Sequence, residues 1–332
     1  MASFSVTDIV NSIKIPQLYR AQEIIGGQVV MNGIKPVTYT GGFTAVFPFI
    51  DSTKTKTALR CWHKDINDAK KRSFAISEYL KREQSLYFVA FNYIDNAILI
   101  NGSLHPVILM EWVDGKPLKK YINENTNQHT FRQLAERFKE MVAELHKKEI
   151  AHGDLQHGNI LVKSDGRLVL IDYDSMYVEQ LKGMPDCIKG LSGYQHPARA
   201  KNSLVNPKLD YFSELVIYLS LLIFSDHPQL WQRYSGTEDL LFSIDDFRDI
   251  ESSSIYKKYS NSSNAAIAEL MQKMKEELSK TDIQDLSPLE DLLIDKEAVT
   301  IENIMDKWRK QPNPPKPKVY PLPNVDSIVS KF

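Results

Sequence analysis

Residues 152 to 174, HGDLQHGNILVKSDGRLVLIDYD, constrain this chain more than any other stretch. Two apolar runs, Ile160-Leu161-Val162 and Leu168-Val169-Leu170-Ile171, flank Asp165-Gly166, a pair that favours a tight turn. A hairpin closed by that turn brings Asp154, Asn159 and Asp172 to one edge. Two carboxylates and an amide converging there can orient a hydroxyl and hold Mg²⁺ against a nucleotide's phosphates, because Mg²⁺ takes one or two protein oxygens and completes its shell with phosphate and water. Taken alone, the same residues could simply cap turns, since an Asp-x4-Asn spacing arises often by chance.

The surroundings narrow the choice. Upstream, Leu134, Phe138, Met141, Val142 and Leu145 recur at helical spacing behind a Thr130/Gln133 capping-box pattern, predicting a helix that delivers the chain into the loop at His152. Downstream, the apolar run from Tyr211 to Phe224 is short of the roughly 20 residues that span a membrane and predicts a helix buried on all sides. Before the loop, residues 26 to 112 carry Gly-rich turns, β-rich runs and an Asn101-Gly102 hairpin signal, predicting an antiparallel sheet.

In this order the motifs resemble those of the protein kinase superfamily, in the style of bacterial eukaryotic-like Ser/Thr kinases, over roughly residues 36 to 310. The resemblance implies an α+β, two-lobed fold. A small antiparallel β-rich lobe with one main helix would occupy 26–112 and a larger, mainly helical lobe 113–310, between an N-terminal extension (1–25) and a Pro-rich tail (311–332). It implies ATP and Mg²⁺ as cofactors and a protein substrate that the sequence does not identify. His152-Gly153-Asp154-Leu155 with Asn159 looks like the catalytic loop, and Asp172-Tyr173-Asp174 like the magnesium-binding DFG motif. By that similarity Asp154 orients or deprotonates the attacking hydroxyl, while Asn159 and Asp172 bind metal. The 107–115 segment resembles the last small-lobe strand and hinge, with Met110 as gatekeeper and the backbones of Glu111 and Val113 facing adenine. Gly41, Gly42, Phe43 and Val46 would cover the nucleotide, and Ala58 and Leu161 would line its base. Gly190, Tyr194 and Pro197 keep the spacing of the family's G-T-x-x-Y-x-A-P-E segment, and Asp210 would tie the catalytic-loop backbone to the core.

Departures from the pattern carry their own expectations. Thr57-Ala58-Leu59-Arg60 stands where the family has V-A-I-K, so Arg60 replaces the phosphate-gripping lysine, with Glu78 as its expected partner. Gln156 replaces a second lysine, which points to slow turnover or none. Gly153 replaces the arginine of H-R-D, so activity is expected without phosphorylation of Ser175, Tyr177, Ser192 or Tyr194. Ala198 replaces the glutamate of A-P-E, and Leu191 and Ser192 sit where a substrate-contacting threonine is expected. Two alternatives stay open: a nucleotide-binding pseudokinase scaffold, which Arg60 and Gln156 favour, and a small-molecule kinase of the aminoglycoside or choline type, which the 190–210 series opposes.

Composition bounds the rest. With 332 residues, 42% of them hydrophobic, the chain can bury two cores, and a formal net charge of −1 gives no reason to invoke nucleic acid. The basic run from Lys54 to Arg82 reads as a solvated helix face or a partner's docking site, and the Pro-rich stretch 311–323 as an extended linker or a second such site. Cys61 and Cys187 read as free thiols in a reducing cytoplasm, and neither a targeting signal nor a membrane segment is expected. Residues 6 to 14 predict a short helix, and His146, His152, His157 and His196 follow no zinc spacing.

Overall fold

Side chains alternate across strand β5 (Thr44–Ile50), and that alternation organises the first half of the molecule. Ala45, Phe47 and Phe49 enter one hydrophobic core, while Thr44 and Val46 face the other way. The computed structural model describes residues 4–64 and 68–293, so the tail at 311–332 lies outside the described residues. β5 pairs on one side with β1 (Gln28–Val29) and β4 (Tyr39–Thr40), and on the other with β6 (Lys56–Trp62). β6 continues to β8 (Ser103–Glu111) and β8 to β7 (Phe91–Ile100), all antiparallel. The β7–β8 turn falls at Asn101-Gly102, both at positive φ, as the sequence predicts. β2 (Met31–Asn32) and β3 (Lys35–Pro36) form a separate small ribbon.

The outer face of the sheet is covered by α1 (Val6–Ile13), whose start carries a Ser5/Asp8 capping box. Phe4, Ile9, Ile13, Tyr19 and Ile24 join Phe47, Phe49, Leu59, Cys61 and Ile98 in one core. The segment set apart in the sequence as an extension thus shares the core of the small lobe. α2 (Ala69–Arg82) packs near β7 and the turns at 173–175 and 179–181. Lys70 pairs with Asp95 and Lys81 with Glu78 on its exposed side, as a solvated face would, but Arg60 and Arg72 of the same basic run are buried.

The second half is helical. β9 (Gly115–Pro117), β10 (Ile160–Lys163) and β11 (Leu168–Leu170) form a small antiparallel sheet around α3 (Leu118–Glu124) and α4 (Gln128–Lys147). α4 is capped by Asn127, whose side chain accepts from the Thr130 N–H, rather than by the expected Thr130/Gln133 box. The N-cap needs extended backbone, which Asn127 has, and Thr130 already lies within the first turn. α5 (Tyr211–Asp226) is buried along nearly its whole length and packs on α4 through stacked Phe131 and Phe224. Short helices α6 (Trp231–Tyr234), α7 (Ile244–Arg248), α8 (Ser254–Tyr259) and α10 (Leu289–Leu293), together with the longer α9 (Ala265–Leu278), complete it. The fold is α+β with a curled antiparallel sheet followed by a helical part. No helix among the described residues is long and apolar enough to cross a membrane.

Candidate active site

The β10–β11 ribbon turns at Asp165-Gly166, with Gly166 at φ +78°, and its open end is closed by the Ile171 N–H donating to the Asn159 carbonyl at 3.0 Å. The loop entering β10 is fixed from below. The Asp210 carboxylate accepts from the backbone N–H groups of His152 and Gly153, the second at 2.9 Å, and His152 reaches the Ile171 carbonyl at 2.8 Å. Gly153 has φ +78°, and a Cβ there would stand 2.2 Å from the Ser175 carbonyl oxygen. Glycine at this position is therefore demanded by the close approach of the Ser175 backbone.

On this platform the Asn159 amide nitrogen donates to both the Asp154 carbonyl (2.8 Å) and its carboxylate (3.0 Å). The Leu191 N–H donates to the other carboxylate oxygen at 3.0 Å, with Gly190 at φ +74° leaving room for that approach. Burial raises the Asp154 pKa, opposed by His152 and the Leu191 N–H and assisted by the nearby Asp172 charge. Asp172 itself is a non-glycine residue at φ +68° with a partly exposed side chain, a strained conformation held by its surroundings. The structure thus gathers Asp154 and Asn159 and places Asp172 beside them.

Above the ribbon, register puts Thr44, Val46, Ala58, Arg60 and Met110 on the inner face of the sheet: Val46 pairs with Arg60 and Ala58 with Met110. Arg60 is 3% exposed. Its Nε donates to Thr44 Oγ1 at 3.0 Å, and one terminal nitrogen reaches both Asp172 (2.5 Å) and Asp174 (2.6 Å). The expected Arg60–Glu78 pair does not form. Glu78 faces solvent and pairs with Lys81, because it sits about 200° around α2 from buried Ile76. Gly41 and Gly42 are exposed, have no positive φ, and a Cβ would meet at most van der Waals contact at Gly41 and open space at Gly42. Phe43 is exposed beside them, and Leu161 is half-buried opposite Pro117. At the strand end, the Glu111 N–H bonds to the Ala90 carbonyl and the Val113 carbonyl accepts from Gly115.

The donor set fits a divalent cation that arrives with a triphosphate. The Asn159 amide nitrogen donates twice to Asp154, which leaves its Oδ1 as an uncommitted acceptor. Among the described residues no three His, Cys, Asp or Glu side chains are grouped so that they could hold a metal ion by themselves. Gln156, where a lysine was expected, folds back to accept from the Gly158 N–H at 2.7 Å.

Several residues escaped the sequence reading. Asp174 was legible only as a carboxylate where the DFG motif has glycine. Arg199 and Asp186 form a buried double ion pair at 3.2 and 3.3 Å, extended by Gln195, Asn202 and Lys189. His157 meets the Tyr194 hydroxyl at 2.6 Å, and burial lowers the His157 pKa to about 4. His146 lies between Glu214 (2.9 Å) and Glu290 (2.6 Å), and His196 packs and caps at the segment's end. Cys61 and Cys187 are free.

Comparison with known proteins places these features in context. A family model described as the protein kinase domain matches residues 40–285. An uncharacterized protein of Dictyostelium discoideum is 40% identical over 80 residues, a stretch that spans 24% of this chain and 8% of that relative.

Proposed function

The chain belongs to the protein kinase domain family, and on that premise we propose an ATP- and Mg²⁺-dependent phosphotransferase that acts on Ser/Thr hydroxyls of a protein substrate. The observation that carries the reading is the Asp154 carboxylate, fixed by Asn159 and the Leu191 N–H within the electrostatic reach of Asp172. Asp154 orients the incoming hydroxyl and takes its proton; a buried carboxylate with a raised pKa is the better base. Asn159 Oδ1 and Asp172 hold Mg²⁺, which neutralises charge on the phosphates. Val46, Ala58, Met110 and Leu161 enclose the base, with the Glu111 carbonyl and Val113 N–H as its backbone partners. Gly41, Gly42 and Phe43 lie over the phosphates: these glycines relieve no crowding of their own, so bare backbone for a ligand is a reason for them.

Gln156 offers no cation to the moving phosphoryl group, and the loss of such a contact costs about 3 kcal/mol at the transition state. Turnover is accordingly slow. The ordered 190–210 segment packed against Asp154 favours a protein substrate over a small alcohol or aminosugar. One observation favours the pseudokinase reading, namely that Arg60 already engages Asp172. Incubation with Mg²⁺ and γ-labelled ATP separates the two. Label transferred to the protein or a generic protein substrate, and lost in Asp154→Ala and Asp172→Ala, is expected. Nucleotide binding with no transfer would establish the scaffold, and transfer only to a small hydroxyl compound would overturn the substrate class.

A further inference from the structure

We propose that Asp174 is the positioning residue for Arg60, holding the guanidinium for the nucleotide's phosphates and replacing any counter-ion from α2. The inference rests on the nucleotide-binding reading above. Its first ground is the buried face of α2, which consists of Ala69, Arg72, Ser73, Ile76, Ser77 and Tyr79 and contains no carboxylate. The helix instead presents a cation, Arg72, which is buried and reaches the Pro185 carbonyl. A carboxylate partner for Arg60 therefore has to come from elsewhere.

The second ground is the unequal exposure of the two carboxylates on Arg60. The Asp172 side chain is 46% exposed and that of Asp174 only 10%. Asp172 is open to the cleft and can turn an oxygen to a cation there, whereas Asp174 has Arg60 as its ion-pair partner inside the protein. The third ground is an orphan. The second terminal nitrogen of Arg60, Nη1, is buried and has no hydrogen-bond partner, although Nε is satisfied by Thr44 and Nη2 by the two aspartates. A buried charged donor without an acceptor is costly, and a phosphate oxygen would satisfy it. Asp174 lies four residues past the end of β11, in the 173–175 turn that packs against α2, so the carboxylate for Arg60 comes from the chain leaving the ribbon while α2 contributes only the positive charge of Arg72 nearby.

The test is ADP affinity in EDTA, with no metal present, for wild type, Asp174→Asn, Asp174→Glu and Glu78→Gln. Asp174→Asn is expected to weaken ADP at least tenfold, Asp174→Glu to return it to within about threefold of wild type, and Glu78→Gln to leave it unchanged. The contrast between Asn and Glu separates a charge effect from a general packing defect. Should Asp174→Asn fail to fold, Glu78→Gln still decides, since a tenfold loss there would restore α2 as the source of the counter-ion. Unaltered ADP binding in Asp174→Asn overturns the inference while leaving the nucleotide site standing. A wild type that binds no ADP overturns both.

Discussion

Gly153 shows how strictly single residues are specified in the loop from His152 to Asn159. An added methyl would collide with the Ser175 carbonyl at a backbone angle that L residues rarely adopt. Gly153→Ala is expected to cost about 2–4 kcal/mol of stability, read as a lowered denaturation midpoint with an unchanged slope. The convergence of Asp154, Asn159 and Asp172 at the hairpin's open end was legible in the sequence because a short hairpin with a strong turn fixes their mutual positions locally. Glu78 was not legible. Its assignment depended on the rotation of α2, and a sequence pattern in which Ile76, Tyr79 and Leu80 share a face does not say which side of that face meets the cleft. Arg60 was placed correctly on its strand, but its carboxylate partners lie more than a hundred residues away, beyond any local pattern.

Among the elements, the segment from Met176 to Val205 is held by its own buried charges. Asp186 and Arg199 are almost wholly buried, and attraction to Arg199 with hydrogen bonds from Arg199, Asn202 and Lys189 outweighs burial to lower the Asp186 pKa. Removing one partner leaves the other charge uncompensated, so Asp186→Asn is expected to cost about 3–5 kcal/mol or to loosen the segment, seen as faster proteolysis between residues 176 and 205. Of the four residues expected to be dispensable as phosphorylation sites, Ser175, Tyr177 and Tyr194 are buried and Ser192 is exposed, and the segment holds its own buried ion pair. Phosphatase treatment is expected to leave γ-phosphate transfer unchanged, and abolished transfer would contradict this.

The α4–α5 junction carries a pH dependence. Burial alone would lower the His146 pKa, but its hydrogen bond and attraction to Glu214, with Glu290 adding to both, raise it to about 9. A histidine whose folded pKa exceeds its unfolded value of about 6.5 stabilises fully below that value and loses the contribution as pH rises through the folded pKa. Burial also raises the Glu214 pKa to about 7, so its proton uptake acts in the same direction at lower pH. Stability is expected to fall by on the order of 1–2 kcal/mol between pH 7 and 9.5 after allowance for screening, and the slope to flatten in His146→Gln. None of this was legible, because spacing identifies metal patterns and says nothing of a histidine between two acids from different helices.

For the whole molecule, the two-part α+β architecture was readable from periodicity and turns, since sheet and helix patterns are separated along the chain. The role of the first residues was not. A short amphipathic helix looks the same whether it caps a domain or precedes one, and only the sheet's outer face, with Phe47, Phe49 and Leu59 needing cover, decides it. Deleting residues 1–14 removes Phe4, Ile9 and Ile13, each contributing about 1.5–3 kcal/mol through burial, and is expected to yield insoluble or strongly destabilised protein.

In the proposed nucleotide site a metal-bound triphosphate lies between the sheet's inner face and the β10–β11 ribbon. The most direct measurement is ATP affinity with and without Mg²⁺, in wild type and in Asp172→Asn. Tightening of at least tenfold by Mg²⁺ in wild type, absent in Asp172→Asn, is the expected result. Affinity indifferent to Mg²⁺ in wild type, or the same tightening in both proteins, would contradict it.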